Sequence, residues 1–353
     1  MKRFIFASLL MVTGLQTVFS QSLKITEEGT GYYLPRTELF FTIQVEKTTY
    51  TPGEFSIYAD KYLKMRDVNM QSSETYRIID IKIHSLGERD TSKYYLAPTD
   101  AKHNIQDLNL DDNGVLLSIN AAPKEIKLPV SFTPAPRPAK LNPRDYMNED
   151  ILSAGSTAKM AELSALEIYD IRESKSSLSK GQADFMPKDG EQLRIMLDNL
   201  ATQERALMQL FTGVTIKDTT ETVIKFVPNK PISKQLLFRF SKWMGITDAD
   251  DLGGEPYYLS VEDLRMTPPI KDLYLNTRKV KDNSGIYVNM PGKIKVSLFK
   301  GGDLLSAYEL YAAQFGRTEM LTDELFNKRY FTSLILNPVT GNLDQLKTES
   351  VKK

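Results

Sequence analysis

Asp248, Asp250, Asp251 and Glu255 place four carboxylates within eight positions, a density that would suit a hard, oxygen-ligated cation such as calcium. Counted from Asp248, Gly253 falls at the sixth place of an EF-hand-like loop, but the twelfth, which should be Glu, is Leu259. The spacing therefore predicts a surface loop, with Asp248, Asp250 and Asp251 left as the metal candidates. Asn109, Asp111, Asn113 and Gly114 make a second partial match, spoiled by Asn at the first place and by Asn120 at the twelfth. Asn113-Gly114 reads instead as a hairpin turn. His84 and His103 cannot build a zinc site without Cys unless carboxylates complete it.

Nucleophile chemistry is weaker still. Ser177-Leu178-Ser179-Lys180 has the Ser-x-x-Lys spacing in which a lysine activates a serine. The motif needs a downstream Ser-x-Asn and a Lys-Thr-Gly strand; Ser118-Ile119-Asn120 lies upstream, and no Lys-Thr-Gly exists. A Ser-His-Asp triad would have to use His84 or His103, and neither has a supporting motif. Glycan-cleaving carboxylate pairs carry no local signature. An envelope polysaccharide or peptidoglycan hydrolase is thus the alternative to a non-catalytic reading. No catalytic residue and no cofactor site is assigned.

The elements that must hold these residues come from a chain of 353 residues with 45 Lys+Arg, 45 Asp+Glu and no Cys. An apolar fraction of 41% and a charged fraction of 25% fit a folded protein and exclude a disordered chain or a fibre. Balanced charge removes the electrostatic case for nucleic acid, which needs a basic surface to displace counterions.

Lys2 and Arg3, the apolar stretch Phe4 to Val12, and Val18-Phe19-Ser20 follow the three-part plan of a secretory signal peptide over 1–20. Its removal leaves 43 basic residues against 45 acidic, a net charge of −2. The mature chain from Gln21 has no second apolar run long enough to span a membrane. With no Cys it cannot be a lipoprotein or carry a disulfide. These features predict an exported protein, periplasmic or associated with the outer membrane.

Residues 21–133 read as a β-rich lobe. Phe41, Ile43 and Val45, then Ile79, Ile81 and Ile83, alternate with polar neighbours at the period of a half-buried strand. Between them Phe55, Tyr58/Ala59 and Tyr62/Leu63 recur at helical spacing over 54–63. Five prolines between 129 and 143 predict an extended linker, placed at 134–144. Residues 145–213 read as an antiparallel helical hairpin. Its second helix starts at Asp189, whose side chain is a fitting N-cap, and stops at Gly213. Leu200 and Leu207 share the apolar stripe of that helix and are candidates for the core or for docking a partner.

Residues 214–346 read as a second β-rich lobe, with strands at 236–240, 294–298, 304–311 and 331–336. Within it Arg239, between Phe238 and Phe240, is a candidate ion-pair or partner-binding residue. Residues 347–353 read as a polar tail. Tyr-Tyr-Leu occurs at 32–34, 94–96 and 257–259, too irregularly for a repeat fold. The fold class expected is α+β: two β-rich lobes joined by the proline-rich linker and the central hairpin.

Several short elements share an order with a known family. They are Tyr33-Leu34-Pro35-Arg36-Thr37 before the Leu39–Val45 strand, Pro52-Gly53 before Tyr58-Ala59 and Leu63, and the Asp189–Gly213 helix ending in Leu210-Phe211-Thr212-Gly213. Phe238-Arg239-Phe240-Ser241, Gly245 and Gly254-Glu255-Pro256 follow. In this order the chain resembles a family of secreted Bacteroidota cell-envelope proteins that is a domain of unknown function. The resemblance implies export and carries no catalytic or ligand residue. The expected function is a non-catalytic binding or scaffolding module at the outer membrane or periplasm, with envelope protein partners.

Overall fold

Alternating apolar residues along 30–51 build one long strand, β2 (Thr30–Thr51), that runs through three hydrophobic clusters in turn. The computed structural model describes residues 21–22, 29–98, 102–126, 128–130, 132–137, 139–268 and 285–351. The signal peptide expected at 1–20 lies outside the described residues. At Gln21–Ser22 the chain forms β1, followed after β2 by β3 (Ser73–Ala97), β4 (Leu108–Leu110) and β5 (Leu116–Ile119). After the helices come β6 (Val214–Phe226), β7 (Ile232–Ser241), β8 (Gly245–Thr247) and β9 (Glu255–Asp263). The last four strands are β10 (Ile286–Lys300), β11 (Asp303–Leu321), β12 (Tyr330–Leu336) and β13 (Leu343–Ser350).

These strands form three antiparallel sheets, ordered β1-β4-β5-β12-β13, β11-β10-β9-β7-β8 and β3-β2-β6. The architecture is α+β, but the sheets cross the boundary expected at the prolines. β2 takes β6 from beyond the helices as its second partner, and β5 pairs with β12. The two halves of the chain therefore share sheets instead of folding as consecutive lobes. Local periodicity marks strands without naming partners, and antiparallel ladders pair residues at any separation. The expected tail is corrected too: Lys347 to Ser350 pair with Tyr330 to Ser333 along β13. Between the sheets and the helices, residues 128–130, 132–137 and 139–142 carry no regular secondary structure.

Tyr32 and Leu34 of β2 are fully buried with Leu116, Ile119 and Leu334 of the first sheet and Val288 of β10. Leu39 and Phe41 pack on Leu259, Val261, Ile294 and Val296, and Ile43 and Val45 pack on Phe238, Phe240 and Tyr257. Burying each such side chain contributes about 1.5–3 kcal/mol. Ile79 departs from the expected alternation and is exposed. Gln44 pairs with Asp80 but Val45 with Ile78, so Ile79 falls in a bulge that turns its side chain out of the ladder.

Two larger bulges interlock. Leu34 faces the four residues Asp90 to Lys93, because Tyr33 pairs with Tyr94 and Pro35 with Arg89. Pro291 likewise faces Ala313 to Gly316. A proline has no N–H for the ladder, so both sites tolerate the break. Each bulge then reaches the other hairpin's central strand. The Thr37 hydroxyl of β2 accepts from the Ala313 amide at 3.0 Å, and the Gln314 side chain donates to the Thr37 carbonyl at 2.8 Å. Lys93 Nζ donates to Asn289 Oδ1 of β10 at 2.9 Å.

The first two Tyr-Tyr-Leu segments face one another across β2 and β3, with Tyr32 opposite Tyr95 and Tyr33 opposite Tyr94. Tyr287 stacks on Tyr95 at 4.2 Å between centroids, and its amide donates to the Tyr32 hydroxyl at 2.7 Å. Burial pushes the Tyr32 phenol above its ordinary pKa.

Candidate functional site

The helices gather where β2 ends. A 3-10 turn (Ser56–Tyr58) and α1 (Ala59–Leu63) occupy the stretch expected to be helical, and Phe55, Ala59 and Leu63 are buried. The short α2 (Glu149–Leu152) precedes α3 (Thr157–Lys180) and α4 (Gly190–Thr212). Asp189 caps α4 as its position requires, accepting from the Gln192 amide at 2.8 Å. At the other end Gly213 has φ +75°, and β6 starts beside the end of β2 with Val214 opposite Thr51. The Phe55 amide donates to the Leu210 carbonyl at 2.7 Å, and the Phe55 and Phe211 rings meet edge to face at 5.6 Å. This end of the hairpin is anchored.

Leu200 and Leu207 have different fates. Leu207 is fully buried with Ala161, Ala165, Ile168 and Phe211. Leu200 is half-buried and lines a groove of about 730 Å³ at the far end of the hairpin. Its apolar lining also includes Leu178, Met196 and Phe185, and Phe185 is 71% exposed. Asp170 and Glu173 of α3 and Asp184 of the connection also line it, and no Lys or Arg does.

Between anchor and groove, Glu204 joins the helices. It accepts from Arg172 Nε at 2.6 Å and from Lys175 Nζ at 2.9 Å. Burial alone would raise its carboxyl, but the two cations hold it below its ordinary pKa.

Arg239 lies on a different element and holds a loop. Its Nε donates to the Ala249 carbonyl at 2.8 Å and its Nη1 to the Gly254 carbonyl at 3.0 Å. Arg239 thus meets the backbone of the acidic loop, so the structure brings these two sequence candidates together. Asp248 and Asp250 are exposed, and Asp251 Oδ1 accepts from the Gly253 amide at 2.9 Å. Among the described residues no three His, Asp or Glu side chains gather as a metal ion would require. The 109–114 segment is the expected hairpin: Asp111 Oδ1 accepts from the amides of Asn113 and Val115, and Gly114 takes φ +78°.

Sequence reasoning missed Asp170, Glu173, Asp184 and Phe185. The available signal was a Phe185-Met186 pair set in a polar connection between Gly181 and Pro187, where no core requires it.

The chain belongs to the family described as Domain of unknown function (DUF4831), whose model matches residues 28–344. No curated protein and no solved structure matches the chain. Among the described residues no helix is long and apolar enough to cross a membrane.

Proposed function

We propose that this member of the family is an exported, non-catalytic binding or scaffolding module of the cell envelope, in the periplasm or at the outer membrane. The observation that carries the binding role is the groove between α3 and α4. Its floor is apolar (Leu178, Met196, Leu200) and its charged lining is acidic (Asp170, Glu173, Asp184). Charge complementarity supports as occupant a segment of a partner protein with apolar anchors and flanking Lys or Arg. Export is supported by the signal-peptide pattern of residues 1–20.

The test is an affinity isolation from gently solubilised envelopes, run in parallel with the wild type, Leu200→Ala and Asp184→Lys. A partner retained by the wild type and lost by both variants, each still folding cooperatively and Leu200→Ala with its urea midpoint lowered only slightly, is the expected result. A partner retained equally by all three overturns the groove as the site.

The alternative is a polysaccharide or peptidoglycan hydrolase, and the three carboxylates lining one cavity favour it as a second reading. Release of new reducing ends from purified envelope polysaccharide, abolished by Glu173→Gln, would establish that reading instead.

A further inference from the structure

The chain's single tryptophan is unexplained by packing. Trp243 sits in the turn between β7 and β8 with 63% of its surface exposed, beside Met244 at 53%. It lines a second cleft, of about 560 Å³, far in sequence from the helical groove. Tyr76 of β3 supplies further aromatic surface there, while Phe240 of β7 and Tyr257 of β9 back the cleft from the core. We infer that this cleft is a carbohydrate-binding site for an uncharged sugar residue of a glycan.

Two ties build the cleft. On one side the Tyr76 amide donates to the Lys242 carbonyl at 2.7 Å. A Cβ at Gly245, which has φ +78°, would stand 3.2 Å from the Tyr76 ring, so only glycine lets the turn and ring meet. On the other side, Arg239 fixes the loop leading into Gly253 and Glu255 through its bonds to Ala249 and Gly254. The walls are held before any ligand arrives, which lowers the ordering cost of binding.

The ligand class follows from the mixture of groups. Aromatic surface suits the C–H faces of a pyranose ring, and a few placed polar groups suit its hydroxyls. Of the charged residues lining the cleft, Arg77, Glu255 and Lys300 are held in ion pairs. Lys300 bonds Glu255 at 2.8 Å, and Arg77 bonds Glu46 at 3.0 Å. Lys47, whose Nζ lies 5.7 Å from the Tyr76 ring centroid, bonds Glu74 at 2.9 Å. Lys242 lies over the indole at 5.1 Å. The Lys300–Glu255 pair sets donors and acceptors side by side for sugar hydroxyls. The site is separate from the hairpin groove and stands whether or not that groove binds a partner.

Because Trp243 is the sole tryptophan, its emission reports this cleft alone. The mature protein is titrated with neutral hexasaccharides of β-1,4-linked glucose, N-acetylglucosamine and mannose, and with an oligogalacturonate as the anionic comparison. The expected result is a saturable emission change with at least one neutral sugar, insensitive to added salt. Calorimetry of Trp243→Ala with that sugar should show a loss of affinity of about tenfold. Glu255→Gln should weaken binding as well, at an unchanged melting temperature, which guards against misfolding of the tryptophan variant. No response to any neutral sugar, or a response to the oligogalacturonate alone that fades with salt, overturns the assignment.

Discussion

Lys93 Nζ donates to Asn289 Oδ1 across 2.9 Å, joining the bulge of one long hairpin to the central strand of the other, 196 residues apart. Asn289 is fully buried, and its Nδ2 donates to the carbonyls of Pro35 and Thr340 at 2.9 and 3.0 Å. One side chain thus ties β2, β3, β10 and the turn before β13. An amide left unpaired at such a place would cost about 1–3 kcal/mol.

The ammonium of Lys93 is held below its usual pKa by burial, with Asp90 opposing the shift. The unfolded chain therefore binds more protons than the native one between that lowered value and the ordinary value of 10.5. Stability linked to Lys93 rises with pH across this window. Urea midpoints measured from pH 7 upward should show this rise in the wild type. The rise should be smaller in Lys93→Met; parallel curves would contradict the assignment.

Leu207 and Leu200 share a helix stripe but only one is core. Leu207→Ala should cost about 2–5 kcal/mol through lost burial and a cavity. Leu200→Ala should cost about 1 kcal/mol, in keeping with its half-buried place at the groove. Equal losses in urea denaturation would mean that the groove is closed in solution.

Glu204→Gln tests the bridge between α3 and α4. The native carboxyl has a depressed pKa, so its stabilisation is complete above the ordinary value of 4.5 and is lost as pH falls through the native value. At pH 7 the variant should be less stable by about 1 kcal/mol, since the pair is partly solvated. The gap should close in acid.

Backbone crowding gives a sharper test. A Cβ at Gly316 would stand 1.7 Å from the Met290 carbonyl oxygen, whereas nothing lies within 4 Å of one at Gly155. Gly316→Ala should open the bulge and lower stability by about 3 kcal/mol or more. Gly155→Ala should change stability by under about 1 kcal/mol. Thermal melts of both variants settle the comparison.

Millimolar calcium should leave the melting temperature almost unchanged, because Asp248 and Asp250 are exposed around a turn held by Arg239. A calcium-dependent rise that disappears in Asp250→Ala would establish a site, since a ligand of the native state adds stability by mass action.

What the sequence determined by itself is what neighbouring residues decide among themselves. Phe41, Ile43 and Val45 alternate because one face of their strand is buried, and Asn113-Gly114 makes a hairpin because glycine accepts positive φ. Asp189 and Gly213 bound α4 because a side chain caps the free amides and a glycine at positive φ ends the ladder. Pairing between distant segments was decided only in three dimensions. Nothing local to Thr51 selects Val214, and nothing local to Lys347 selects Ser333. A register slip moves a residue to the opposite face, which is why Ile79 turned outward while Ile81 stayed in the ladder. The same holds for function. Asp170, Glu173 and Asp184 carry no motif, and they share a groove only because two helices pack at one end and part at the other. Trp243 gains its setting because β3 crosses beneath the β7–β8 turn, a contact no spacing within residues 241–245 encodes.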